Sequence, residues 1–319
     1  MKRRTFISGV AGATVWPYAT AAQSRVPIVG VLVQGVPAPA PFLAALRDGL
    51  REAGYVEGQN IKLEVRSAEG QADRLPEKAR ELLGLNVDLI VAFQTPAVMA
   101  AKAATGQVPI VMAPAGDPLS TGLVATLARP GGNVTGVSGA SAEIGGKTVE
   151  LFRELLPAAR RIAVLASETD AFTRPFLAEI SRAAQSLGVE IEPTLVRPGQ
   201  PPDAAIEGMV ARQAQALIVQ GSLARKEVFE AALKHRLPSC SSNQIVTTLG
   251  GLMAYGANQE LLYRQAVPYI DRILKGANAA ELPVVQPIKF ELVINMKTAA
   301  ALGITVPLSL LARADEVIE

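Results

Sequence analysis

Short apolar runs alternate with helix-period segments along almost the whole chain, and the alternation runs through twice. Val26 to Val33 is a continuous apolar run, the pattern of a parallel strand buried on both faces. Phe42, Leu43, Leu46 and Leu50 then recur at helical spacing, and Gly54 ends that helix. Ile61, Leu63 and Val65 alternate with polar residues as a second strand. Ala72 to Leu83 reads as a helix, Val87 to Phe93 as a strand, Val98 to Thr105 as a helix and Val108 to Met112 as a strand. Strands spaced by helices predict the α/β class, with a parallel sheet covered on both faces.

The segment from Val108 to Ser138 joins the two halves. Its apolar run opens into a small-residue loop, Ala113 to Thr121, carrying one acid, Asp117. A short helical piece is expected next, then Arg129-Pro130-Gly131-Gly132-Asn133, a turn too rich in breakers to continue a helix. Val134 to Val137 reads as a strand crossing between lobes. The pattern restarts with a helix at Ile144–Leu156 and strands at Arg161–Ala166, Val189–Leu195, Ala216–Val219 and Leu237–Cys240. Asn258 to Lys275 predicts one long helix, and Lys289 to Asn295 a further strand. Two similar α/β lobes are expected: residues 26–137 plus about 250–281, and residues 138–249 plus about 282–319.

The 319 residues are enough for two such lobes. Residues 1–22 read as an export signal and not as part of either. Met1 to Arg4 is basic, Phe6 to Val15 is apolar and small, Ala19 to Ala22 offers cleavage sites, and Arg3-Arg4 matches a twin-arginine start. Loss of Lys2, Arg3 and Arg4 with the signal takes the formal charge from +2 to −1. A charge so near zero gives no electrostatic case for nucleic acid or an anionic membrane. No later apolar run approaches the length of a bilayer span. The expected product is a soluble, exported monomer.

Ligands of open α/β sheets bind beyond the carboxyl ends of the strands. Those ends carry Gln34, then Gln94-Thr95-Pro96, Ala115 and Asp117, with Ser138 closing the crossing. In the second half they carry Ser167-Glu168, Gln220 and Ser222, and Asn243. Most are hydroxyl or amide groups, suited to a small polar solute. Thr95 before Pro96 reads as the N-cap of a helix, whose free N–H groups and dipole attract a carboxylate. Thr95 capping its own helix and no more is the competing reading. Asp117 and Glu168 could meet an ammonium group, or be ordinary solvated acids.

Groups for catalysis are few. Cys240 and His235 are single, so neither a disulfide nor a zinc cluster is expected. His235 reads as a solvent-facing residue at a helix end. Gly145-Gly146-Lys147-Thr148 resembles the end of a phosphate loop, but Ser141 stands where that motif needs glycine. No cofactor, no metal and no enzymatic activity are expected. An exported α/β enzyme, such as an isomerase using Asp117 and Glu168, is the alternative.

The chain resembles the TrpX-like substrate-binding proteins of ABC transporters. The resemblance rests on ordered blocks over residues 49–319, among them GLREAGYVEGQN (Gly49–Asn60), VDLIVAFQTPA (Val87–Ala97) and DPLSTGLVATLARPGGNVTGVS (Asp117–Ser138). GGLMAYG (Gly250–Gly256) and LPVVQPIKFELVINMKTAAALG (Leu282–Gly303) continue it. It implies a type I periplasmic-binding-protein fold of two Rossmann-like lobes with three crossings, a solute held between lobes, and delivery to the membrane permease of an ABC importer from the periplasm. It also implies that Thr95-Pro96-Ala97 and the Asp117 loop face the cleft, and that the solute is a carboxylate such as an amino acid. Relatives often carry Asn-Pro where Ser167-Glu168 stands, Asp-Pro where Gln220-Gly221-Ser222 stands, and Tyr and Arg in the segment of Ser239 to Asn243. Those departures point away from an aromatic solute. Closure by hinges near Gly136 and Gly139 and near Pro283 and Pro287 is expected.

Overall fold

The fold is a computed structural model that describes residues 25–35, 41–139, 141–197 and 200–319. The expected export signal, residues 1–22, lies outside them. The first half contains β1 (Ile28–Val33), α1 (Pro41–Glu52), β2 (Lys62–Ser67), α2 (Leu75–Gly84), β3 (Leu89–Phe93), α3 (Thr95–Ala104), β4 (Ile110–Ala115) and β5 (Val134–Ser138). Its five strands are parallel, in the order β2-β1-β3-β4-β5. β1 is almost wholly buried because α1 covers one face and α2 the other.

The second half continues with α4 (Ser141–Leu155), β6 (Arg161–Ser167), α5 (Thr173–Leu187), β7 (Glu190–Val196), α6 (Asp203–Ala211) and β8 (Ala216–Val219). Then come α7 (Lys226–Lys234), β9 (Ser239–Ser241), α8 (Ile245–Thr248) and β10 (Met253–Gly256). α9 (Gln259–Gln265) and α10 (Val267–Leu274) return to the first lobe, where Leu262, Tyr263 and Ile270 pack into its core. β11 (Glu291–Asn295), α11 (Met296–Leu302), α12 (Leu308–Leu311) and β12 (Glu316–Ile318) finish the second lobe. Its seven-stranded sheet runs β12-β11-β10-β9-β8-β6-β7.

The lobes are joined at three places. β5 and the segment around Val285 cross side by side: the Ser138 N–H donates to the Val285 carbonyl at 2.8 Å, and the Val285 N–H to the Gly136 carbonyl at 3.1 Å. Gly136 has φ +121, and a Cβ there would sit 2.5 Å from the Met112 carbonyl oxygen, so no larger residue fits between β4 and β5. The remaining crossing follows β10 at Gly256.

Several boundaries differ from expectation. Residues 253–256 pair with β9 and β11, so the return to the first lobe comes after Gly256 and not at about 250. Leu282 and Val284 pack in first-lobe clusters, which moves the last crossing beyond Val285. β10 and β11 are antiparallel, where parallel strands were expected. The fourth strand runs on to Ala115, shortening the loop after it. The expected helix after Thr121 is a series of turns pinned by Asp117. The helix expected over 258–275 is two helices meeting at Ala266, since Pro268 has no N–H to continue the first helix's ladder. His235 caps the helix end as expected but is half-buried: its Nε2 lies 3.1 Å from Asp203 Oδ1 and its side chain is 19% exposed.

Candidate functional site

The carboxyl ends of both sheets face one another across the interlobe cleft. A cavity of about 70 Å³ lies there, walled by Gln94, Thr95, Ala115 and Gly116 from the first lobe. The second lobe contributes Asp170, Phe172, Phe176, Gly221, Ser222 and Asn243. A second cavity, of about 690 Å³, lies beside it and shares Gln94, Gly221, Ser222 and Asn243 as a wall.

The first-lobe wall is set by the β3–α3 junction. Phe42 of α1 stacks on Phe93 with ring centroids 4.9 Å apart and meets Tyr263 of α9 at 5.0 Å, which fixes the end of β3. Gln94, the next residue, takes φ 71 and ψ 154 and occupies the N-cap position of α3. Thr95 was expected as that cap. It is instead the first helical residue, and its hydroxyl accepts the Gly116 N–H at 3.0 Å, tying the loop after β4 to the helix start. α3 therefore points an N-terminus, with its unpaired N–H groups and positive dipole end, at the cavity. The Gln94 side chain reaches over the cleft, Nε2 donating to the Gly221 carbonyl at 3.2 Å.

The second-lobe wall is built on a buried acid. Asp170 is 6% exposed; its Oδ1 accepts the Phe172 N–H at 2.9 Å and its Oδ2 accepts Gln220 Nε2 at 3.0 Å. Gln220 is held in turn: its Oε1 accepts the Ser167 N–H at 2.8 Å and the Thr173 hydroxyl at 2.9 Å. Burial pushes the Asp170 carboxyl above the usual aspartate range, against the pull of the Phe172 N–H and the Ser222 hydroxyl. That hydroxyl is buried beside the carboxylate, short of a well-formed hydrogen bond. No cation of the described residues pairs with Asp170. A buried carboxylate so placed favours any ligand that brings a positive charge. Phe172 and Phe176, with centroids 5.7 Å apart, supply an apolar face beside it.

Of the residues singled out in the sequence, Gln94, Thr95, Ala115, Ser222 and Asn243 line the inner cavity, and Gln34 lines the outer one. Ser167 and Gln220 stand behind Asp170 and orient it. Pro96 lies in the first turn of α3 and Ser138 in the crossing. Asp117 does not line either cavity: its carboxylate accepts the N–H groups of Leu119 and Ser120 and the Ser120 hydroxyl. Glu168 is also turned away, exposed and paired with Arg197 at 3.0 Å. Asp170, Phe172 and Phe176 were missed. The one available signal was an acid three residues beyond a strand end and shortly before a helix. The expected shortage of aromatic groups in the second lobe is thus corrected: they come from the start of α5 and the turn before it.

Comparison with known proteins gives a consistent picture. The family model for ABC transporter substrate binding proteins matches residues 29–318. A tyrosine-binding protein of Clostridioides difficile is 28% identical over 264 residues, 82% of this chain and 75% of that protein. A crystal structure of an ABC domain in complex with L-Trp from Streptococcus pneumonia superposes with a TM-score of 0.84. It is 29% identical, and the match covers 92% of this chain and all (100%) of that one. A conserved domain protein from Vibrio cholerae matches with the same TM-score, 0.84, at 27% identity over 92% of this chain and 100% of its own.

Proposed function

Since the chain belongs to the ABC transporter substrate binding protein family, we propose that it is the exported, periplasmic receptor of an importer and binds an aromatic L-α-amino acid in the interlobe cleft. The observation that carries the reading is Asp170: a buried carboxylate without a cation among the described residues, beside Phe172 and Phe176 and across the cavity from the N-terminus of α3. An α-amino acid supplies what each wall lacks. Its ammonium group pairs with Asp170, its carboxylate lies at the start of α3, and its ring packs on the two phenylalanines. The protein catalyses no reaction on the solute in this account and needs no cofactor. The tyrosine-binding relative and the L-Trp complex support the aromatic class.

The Gln94–Gly221 hydrogen bond spans the cleft beside the inner cavity and ties the two lobes together there. Entry therefore requires the lobes to part and Gln94 to release Gly221. The solute then stabilises the closed form through contacts with both walls, and the three crossings act as the hinge. The closed receptor delivers its cargo to the membrane permease.

The chain's single tryptophan is Trp16, so protein beginning at residue 25 has no indole of its own. Titrating that protein into L-tryptophan reads the ligand's emission alone. Saturable blue-shifted emission, displaced by L-tyrosine or L-phenylalanine but not by tryptamine or indole-propionate, is expected. Absence of binding by all three aromatic amino acids would remove the reading.

A further inference from the structure

We propose that the outer cavity is a second ligand subsite, which takes a second amino-acid unit beyond the one seated at Asp170. The proposal rests on the aromatic amino-acid reading of the inner cavity. The outer cavity, at about 690 Å³, has ample room for such a unit and adjoins the inner one across the Gln94 and Gly221 wall. A vestibule that only admits solute would be lined by groups already satisfied by protein or solvent. This one is not. Gln34 lines it, is 3% exposed, and its Oε1 has no hydrogen-bond partner among the described residues. A buried acceptor in that state calls for a donor from a ligand.

The rest of the lining mixes apolar residues (Val33, Phe93, Pro201, Pro202) with polar groups that suit the backbone of an amino acid. Gln71, Gln200 and Asn243 add amide groups, and Arg225 stands on the second-lobe side. One Arg225 nitrogen donates to the Gln200 carbonyl at 2.5 Å and Nε lies 3.9 Å from Glu227, which leaves further guanidinium N–H groups for a carboxylate. Of the two acids in the lining, Glu69 is already paired with Arg74 at 2.8 Å, and Glu227 stands at 3.9 Å from Arg225 Nε, too far for a close pair. The chemistry is therefore an N–H donor for Gln34 and a carboxylate for Arg225. Either the C-terminal residue of a dipeptide or a second free amino acid brings both.

Calorimetry on the protein from residue 25, with L-tyrosine and with tyrosylglycine, separates those sources. A dipeptide site gives one equivalent of tyrosylglycine at least as tight as tyrosine, its peptide carbonyl taking the carboxylate's place at the start of α3 and its terminal carboxylate reaching Arg225; a two-solute site gives two equivalents of tyrosine. In either case Gln34→Met is expected to lower the second-unit signal at least tenfold relative to the first tyrosine equivalent. Arg225→Ala, at the partly exposed rim, is expected to do the same several-fold without relying on a core substitution. One equivalent of tyrosine with tyrosylglycine more than tenfold weaker overturns the proposal, as does a second-unit signal that both variants leave unchanged. Each of those results leaves the amino-acid reading standing. Absence of tyrosine binding in any form would overturn that reading, and this one with it.

Discussion

Gly116→Ala tests whether the two walls close on one another. Gly116 follows β4 in the first lobe, and Phe172 precedes α5 in the second. A Cβ added at Gly116 would sit 2.7 Å from both Cγ and Cδ2 of the Phe172 ring and 3.1 Å from Cδ1. Carbon atoms in good contact lie about 3.5–4.0 Å apart, so the ring must retreat by about 1 Å. Phe172 is 6% exposed and packs against Phe176, which leaves it little room. Overpacking of this kind costs about 1–3 kcal/mol. The contact exists only when the lobes are together, so the cost falls on the closed form alone. The expected result is an affinity for the aromatic amino acid weakened about 5- to 150-fold, since each 1.4 kcal/mol is tenfold. The melting temperature of the unliganded protein should stay at the wild-type value. Calorimetric titration and thermal melting of the same preparation read both quantities. Unchanged affinity, or an equal loss of stability without ligand, would refute the argument that these residues meet through closure.

Further predictions concern the acid, the thiol and the ring stack. Asp170→Asn keeps a hydrogen-bonding group and removes the charge; a charge-assisted bond is worth about 1.5–3 kcal/mol, so amino-acid affinity should fall about 10- to 150-fold. The folded pKa of Asp170 is raised above its unfolded value, so its contribution to the unliganded protein's stability is lost as pH rises through that folded value, whereas affinity for an ammonium-bearing solute increases. Denaturant melts of wild type and Asp170→Asn across pH 4 to 8 isolate that dependence, which should vanish in the variant. Cys240 is completely buried, and burial pushes its thiol to about 12; it should resist a thiol reagent at pH 8 until the second lobe unfolds. Phe42→Ala, which unstacks Phe93 beside Gln94, should cost about 3–5 kcal/mol in a denaturant melt.

How far the sequence reaches is clearest at the two walls. The first-lobe wall is local: β3 is a short apolar run and α3 starts at a Thr-Pro pair, so strand, turn and helix start are adjacent in the chain and legible from periodicity and helix-start chemistry. Even there the side chain of Thr95 was assigned to the wrong bond, because its partner, Gly116, is brought in only by the pairing of β3 with β4. The second-lobe wall is tertiary. Asp170 looks like any acid in a surface turn, and its burial depends on Gln220, fifty residues away and reached through the β6–β8 pairing. The same holds for Asp117 and Glu168, which share Asp170's position near strand ends but turn to the Ser120 loop and to Arg197. Strand order decides which acid faces the cleft, and periodicity carries no information about strand order. The lobe boundary at Gly256 was missed for a related reason, since β10 is paired with a strand on each side and neither pairing is local.

The most direct test of the account is a crystal structure of the protein with L-tyrosine or L-tryptophan bound. The account predicts the amino nitrogen within hydrogen-bond distance of an Asp170 carboxylate oxygen, the carboxylate at the first turn of α3, and the ring against Phe172 and Phe176. An amino acid bound outside the interlobe cleft, or inside it with its amino group away from Asp170, would contradict the account.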